Sequence, residues 1–327
     1  MLYSGIDIHP KVSYCVLGTA EGEIVKEEKI KSDKNEIEEF YSGLGKVKVV
    51  FEATTNYECF FEVFEALDCE VVLAHPFKTR AIAAARIKTD KISARILMDL
   101  LRADLIPASY VPPKDIRELR KLTRHRIFLG RYRAQMKNRI HAELIKKALR
   151  YPGADVFTLK GIQWLKQLNM PLIDSYVSIF KSIDKELKLA ESKIKINGKN
   201  YPQIRLLVTI PGISWYSAMI IYSEIGDITR FPSEQQLFSY AGLVPTVHQS
   251  GDNCYYGSIT KQGTKNLRWI LVEVLMVHIQ CCPNSKITQF FYRLKKHKPT
   301  NVATIAAAKK LLQVIYHMLK NETEFQN

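Results

Sequence analysis

The 327-residue chain lacks the features that would assign it quickly to several common classes. Its six cysteines (Cys15, Cys59, Cys69, Cys254, Cys281 and Cys282) form no C-x-x-C pair and have no histidine at zinc spacing. That argues against a structural zinc site and against a disulfide framework. They read as reduced core fillers of a cytoplasmic protein. No charged-then-apolar leader pattern opens the sequence, so no export is expected. The longest apolar stretch, residues 269 to 282, contains Glu273 and is too short to span a bilayer, so no membrane partner is expected. Low-complexity segments and clear internal repeats are also missing, which sets aside linkers and solenoids.

What is present is a large apolar fraction, 46%, enough for two or three cored domains. The net charge is +15, which points to a polyanionic partner. The charge is unevenly spread. Residues 1 to 70 hold 15 acids against 7 lysines and arginines, a balance of −8, whereas residues 112 to 150 hold 13 against 3 acids, a balance of +10. A solvated helix face needs far less charge than that. An acidic domain beside a basic helix suits an enzyme that grips nucleic acid.

Residues 2 to 8 form a short apolar run with one carboxylate, Asp7, inside it, closed by His9-Pro10. Such runs read as buried strands, and a buried acid must be paired, hydrogen-bonded or bound to a cation. Taken alone, Asp7 reads equally well as a strand-end residue capping a turn. Two more strands follow at residues 11 to 17 and 23 to 30. Residues 33 to 44 read as a helix, with Asp33 as N-cap, Glu36 completing a capping box, and Ile37, Phe40, Tyr41 and Leu44 on one face. Residues 47 to 51 are a fourth strand ending on Glu52. The loop Ala53-Thr54-Thr55-Asn56 leads into a helix over residues 57 to 67, and residues 70 to 74 are a fifth strand. The order β-β-β-α-β-α-β-α suits a mixed sheet of the ribonuclease H type, in which functional residues gather at the carboxyl ends of central strands. Asp7 and Glu52 are then expected to approach each other. Asp90, in the first turn of a helix running to residue 105, is expected at the open end of the sheet. Three clustered carboxylates select Mg²⁺ or Mn²⁺. For each acid alone, an N-cap, turn or surface role is the plainer reading.

Three segments together resemble the DEDD transposases of insertion sequences, a family that includes the Piv-type DNA invertases: Gly5-Ile6-Asp7, then Phe51-Glu52-Ala53-Thr54, then Lys88-Thr89-Asp90 leading into Ala94-Arg95-Ile96-Leu97. The resemblance implies a RuvC-like, ribonuclease H-like domain whose metal ligands are Asp7, Glu52 and Asp90. The fourth acid of that pattern belongs three residues after Asp90, where this chain has Ser93. Asp99, nine positions on, faces nearly the opposite way.

Pro112-Pro113 closes this first domain, expected over residues 1 to 110. Residues 111 to 200 read as a basic helical region. Leu122, Leu129, Tyr132, Met136, Ile140 and Leu144 stripe one helix, and Leu172, Tyr176, Phe180, Ile183, Leu187, Ala190 and Ile194 stripe another at coiled-coil spacing. The second stripe suits either the preceding helix or another subunit. Residues 201 to 327 are expected to be mainly helical. Helix, Pro211-Gly212-Ile213 turn and helix read as a helix-hairpin-helix-like unit, whose backbone at Gly212 would meet a phosphate, or equally as a plain helical hairpin.

Residues 238 to 245, 248 to 251 and 257 to 268 match the second signature of the same family. The resemblance implies a serine nucleophile that links covalently to DNA. Ser250, in Gln249-Ser250-Gly251, fits it best, with Ser239 and Ser258 as alternatives. Lys261, Lys265 and Arg268 suit phosphate oxygens, and Arg117, Arg120, Arg124, Arg131, Arg133, Lys137 and Arg139 suit a DNA or RNA backbone. The implied function is a transposase or site-specific recombinase that cuts and rejoins DNA, with a structured guide RNA from the element as a partner and a dimeric or tetrameric assembly. A metal-dependent structure-specific nuclease, or a nucleic-acid-binding protein with a decayed site, are the rival readings.

Overall fold

A computed structural model describes residues 1–54, 57–83, 89–251 and 253–326, with Ser250 described in its backbone alone. Thr55, Asn56 and Lys88, named in the motifs above, lie outside the described residues. The chain divides into two compact units, Met1–Val111 and Pro112–Asn327.

The first unit is built on five strands: β1 (Leu2–Asp7), β2 (Val12–Gly18), β3 (Ile24–Lys31), β4 (Val47–Glu52) and β5 (Glu70–Ala74). Their spatial order is β3-β2-β1-β4-β5. The meander β1-β2-β3 is antiparallel, and β1, β4 and β5 run parallel, which makes the sheet mixed, as expected. The helices are α1 (Lys34–Tyr41), α2 (Tyr57–Ala66), α3 (Pro76–Ile82) and α4 (Asp90–Arg102). Asp33 caps α1 by accepting from the Glu36 amide.

Strand side chains alternate between faces. Ile6, Leu17, Val49 and Phe51 pack with Ile37, Phe40 and Phe64 of α1 and α2. The other parity meets α4: Val50 with Leu97 and Leu101, and Val16 with Ala94 and Met98. Gly5 explains how closely α4 sits. A Cβ at Gly5 would fall 2.0 Å from the Ala94 carbonyl oxygen and 2.5 Å from the Met98 amide, so only glycine lets this helix rest on β1.

In the second unit, α5 (Lys114–Lys146) and α7 (Pro171–Gly198) pair, with α6 (Leu159–Gln167) across one end. Leu129 meets Leu187 and Ala190, while Ile140 and Leu144 meet Ile173, Val177 and Phe180, so the two helices run antiparallel within one chain. The expected stripe on α7 holds from Phe180 onward. At its start the buried residues are Ile173 and Val177, while Leu172 is exposed, one position off the expected Leu172 and Tyr176. On α5, Tyr132 also points out of the core.

The N-terminal half of α5 joins a core with α8 (Pro202–Val208), α9 (Trp215–Ile225), α10 (Glu234–Ala241), α11 (Lys265–Cys281), α12 (Lys286–Lys295) and α13 (Thr300–Asn321). Between α10 and α11 runs a hairpin, β6 (Pro245–Ser250) and β7 (Asn253–Ile259), within a region expected to be mainly helical. Nearly all of β7 is exposed. The six cysteines also divide: Cys15 is buried, and burial pushes its thiol up to about 12, whereas Cys59, Cys254 and Cys281 are exposed. Only Cys15 fills the core fully. No described helix is long and apolar enough to cross a membrane.

Candidate active site

The acids of the first unit follow from register. β1 and β4 pair in parallel with Ile6 opposite Phe51, so one further residue along each strand sets Asp7 beside Glu52. Both belong to the parity that faces α4, at the carboxyl ends of adjacent strands. The third acid follows from helix geometry. Ala94 and Met98 lie over Gly5, and Met98 also reaches Gly18, the cross-strand partner of Tyr3. Four helical residues advance about 6 Å and two strand residues about 6.6 Å. The series Met98, Ala94, Asp90 therefore tracks Tyr3, Gly5, Asp7 in step, which brings Asp90 to Asp7. Thr89 starts the helix there, its hydroxyl accepting from the Ile92 amide.

His9 completes the cluster. Its Nε2 lies 3.3 Å from an Asp90 carboxylate oxygen and 3.8 Å from one of Asp7. One donor atom from each of Asp7, His9 and Asp90 falls within a span of 4.8 Å. Two carboxylates and an imidazole in that span, with Glu52 on the same sheet face, suit a divalent cation with hard oxygen ligands. In the sequence His9 stands, with Pro10, only as the close of the first strand. A signal was nonetheless present, because two positions beyond Asp7 returns to the same face of an extended chain. Ser93, half-buried, stands one turn after Asp90, and its amide closes the first turn onto the Thr89 carbonyl at 2.8 Å. Asp99 is turned away from the cluster, its carboxylate 3.7 Å from Arg102.

In the second unit, Ser250 ends β6 and pairs with Asn253, and Gly251, with φ 58°, begins the turn at the hairpin tip. The loop after β7 is fixed by glycines. Gly263 takes φ 93°, and a Cβ there would fall 2.0 Å from the Tyr240 carbonyl. At Gly242, φ 67°, a Cβ would meet the Gln262 carbonyl at 2.3 Å. The two glycines thus let this loop interlock with the end of α10. Lys261 is exposed in this loop and Lys265 opens α11.

The basic residues separate into two groups. Arg117 is 3% exposed and donates to the Pro112 carbonyl, so it is turned inward instead of meeting a nucleic-acid backbone. Arg120 donates to the carbonyls of Ser223 and Glu224 at 2.6 and 2.9 Å. Arg124 forks onto the carboxylate of Glu224, itself 1% exposed. Thr264 and Asn266 donate to the same carboxylate. Burial pushes the Glu224 carboxyl up, but these donors and the arginine charges outweigh it and hold the group below its ordinary range. Arg133 pairs with Asp184 at 2.9 Å, and Lys137 lies 4.4 Å from the Phe157 ring centre. Arg268 donates to the Ala241 carbonyl at 2.9 Å, and burial lowers its pKa. These residues bind the helices of their own unit together. Gly212 is likewise turned inward: a Cβ there would fall 2.8 Å from the His278 amide, so α11 covers the tip that an open phosphate-binding hairpin would present. Arg131, Arg139, Lys261 and Lys265 form the second group. They are exposed and have no acid partner among the described residues.

Comparison with known proteins bears on both units. Residues 4–147 match a family model described as a transposase of the DEDD, IS110 type. Residues 204–291 match the model described as the transposase IS116/IS110/IS902 family. A Sinorhizobium fredii protein carrying a transposase name is 26% identical over 68% of the chain. A Pseudomonas aeruginosa protein named as a probable family 20 transposase is 24% identical over 72%. The pilin gene-inverting protein of Moraxella bovis is 35% identical over 37%. The chain spans 56%, 74% and 38% of those relatives' own lengths.

Proposed function

Because the chain belongs to the IS110/IS116/IS902 family of transposases, we propose that it cuts and rejoins DNA as the recombinase of an insertion sequence. The observation that carries the reading is the meeting of acids at one end of the sheet: Asp7 and Glu52 on neighbouring parallel strands, and Asp90 brought to Asp7 by α4. These three residues are the ligands we assign to a divalent ion, Mg²⁺ or Mn²⁺, with Ser93 as a neutral oxygen donor one turn from Asp90. A bound ion of this kind polarises a phosphodiester and activates a hydroxyl. The sheet and the close seat of α4 on β1 bring the backbones that carry these carboxylates together, which lowers the ordering cost of the reaction.

Ser250 is the nucleophile in this reading. Its oxygen bonds to phosphorus as the bridging oxygen of the cut strand leaves, and a strand hydroxyl later reverses the exchange. Gly251 beside it leaves room for a phosphate backbone. The exposed cations Arg131, Arg139, Lys261 and Lys265 suit the backbone of DNA or of a structured guide RNA encoded by the element. Exchange between two duplexes needs more than one active site, so a dimer or tetramer is part of the proposal.

The test is junction PCR for the excised circular element in cells carrying its native flanks, comparing wild type with Ser250→Ala. A junction with wild type that vanishes in the variant supports the serine recombinase. A junction in both removes Ser250 as nucleophile and moves the search to Ser239 and Ser258. Strand cleavage without a trapped protein–DNA adduct marks a hydrolytic nuclease instead.

A further inference from the structure

A cleft of about 460 Å³ opens beside the start of α11 in the second unit. Arg124, Phe128 and Arg131 of α5 line one side, and Thr264, Lys265 and Asn266 line the other. We propose that this cleft is a single-nucleotide pocket, taking a backbone phosphate of single-stranded nucleic acid at Arg131 and Lys265 and stacking the adjoining unpaired base on Phe128. The inference rests on the reading that the protein handles nucleic acid, and it adds a site made of residues other than the acids of the first unit and Ser250.

Three observations carry it. First, the cleft is built around the buried Glu224, which holds Arg124, Thr264 and Asn266 at 2.9–3.3 Å and so fixes both sides against each other. Glu224 and Arg124 cancel in charge. Arg131 and Lys265 are left as positive charges that no acid among the described residues neutralises. Second, α11 is a 17-residue helix whose cap hydroxyl, on Thr264, is already engaged, and its first residues, Lys265 and Asn266, belong to the cleft lining, where the start of a helix favours an anion. Third, Phe128 is 51% exposed, its ring centre 4.4 Å from that of Tyr132, also exposed. Two bare aromatics between cations on a basic helix are poor solubilising residues and good stacking platforms. In a duplex the base faces are already stacked on their neighbours, so an aromatic inside a cleft selects an unpaired base.

The test uses the full chain, fluorescein-labelled oligothymidylate, a matching strand lacking its bases, and a duplex of equal length, read by anisotropy across a salt series. Arg131→Gln and Lys265→Gln are each expected to weaken binding to both single strands and to lower the salt slope by about one. Phe128→Ala should weaken the base-bearing strand by about fivefold or more, in line with roughly 1–3 kcal/mol per stacked base, and leave the abasic strand unchanged. Phe128→Trp should restore binding, and duplex binding should be indifferent to residue 128. Thermal melts of the four variants should match wild type, because none of the three side chains is buried. Repeating the series with oligouridylate assigns the strand: a larger Phe128 effect there marks RNA, a smaller one DNA, and an equal one a pocket that reads phosphate and base alone. Equal losses on base-bearing and abasic strands in Phe128→Ala, or no loss in any variant while wild type binds, would overturn the pocket and leave the functional reading intact. A wild-type chain that binds neither single strand nor duplex would overturn both.

Discussion

Two acid-centred sites sit in this chain, and they are built in opposite ways. Glu224 is buried, takes donors from Arg124, Thr264 and Asn266, and stands alone as an acid among them. Asp7 is 24% exposed and Asp90 52%, and the two carboxylates crowd around one imidazole, with Glu52 on the strand next to Asp7. In the first site the protein supplies every partner a carboxylate needs, which is the signature of a structural tie. In the second it gathers like charges on a rigid frame, an arrangement that costs stability unless something else enters. The same residue type thus serves cohesion in one unit and, in the proposed function, chemistry in the other, and the crowding of like charges distinguishes them.

That contrast is sharpest in what loss of the acid should do. Glu224→Ala leaves the Arg124 guanidinium and the α11 cap without their shared partner and is expected to cost roughly 3–5 kcal/mol of stability, the range for breaking a buried pair. Chemical denaturation reads it, and an unchanged midpoint would refute the tie. The carboxyl of Glu224 is held below its ordinary value near 4.5, so its contribution is fully present above that value and fades as pH falls through the depressed one. Glu224→Gln should lack that acid-side decline. Asp7→Asn should do the reverse. Transposition is expected to fall on the order of a thousandfold, from loss of several kcal/mol of metal-assisted stabilisation, while the melting temperature holds or rises as repulsion is relieved. A melting temperature that drops as far as in Glu224→Ala would make Asp7 a structural acid as well.

Gly5→Ala tests the frame between these extremes. The added methyl meets the α4 backbone at Ala94 and Met98, atoms that cannot rotate aside, so α4 must lift and carry Asp90 from Asp7. A stability loss of about 1–3 kcal/mol is expected for such overfilling, together with weaker Mn²⁺ binding by calorimetry. Weaker stability with full metal affinity would show that Asp90 is not placed through this contact.

Much of the first unit was legible because its grammar is short-range. Alternation of two residues fixes which strand residues share a face, and Asp33, Glu36 and the helix stripes carry their own start signals. Asp7, Glu52 and Asp90 fall out of that grammar. His9 did not, because a histidine before proline reads as a turn unless strand parity is carried past the strand's end. In the second unit the deciding partners lie about a hundred residues apart. Arg120 and Arg124 look like any basic helix face until Ser223 and Glu224 are seen beneath them. Gly212 looks like an open phosphate-binding turn until α11 is seen against it. The β6–β7 hairpin escaped for a different reason. Residues exposed on both faces have no polar–apolar alternation, which leaves only a turn at Gly251 to read.

The smallest expected effect tests that hairpin. Tyr255 and Tyr256 are 68% and 73% exposed, and an isolated two-stranded ribbon is marginal in water. Exposed aromatics on such a ribbon contribute little to the fold, so changing both to alanine should shift stability by no more than about 0.5 kcal/mol. If the ribbon carries Ser250 to DNA, the same change should still lower junction formation, because a two-stranded ribbon fits a DNA groove and its aromatics would lie against the backbone there. A loss of stability beyond that limit would mean the tyrosines pack against something within the chain. Full stability with full activity would mean that the ribbon presents its serine without gripping DNA, and the cations that follow it, Lys261 in the loop and Lys265 at the start of α11, would then carry that contact.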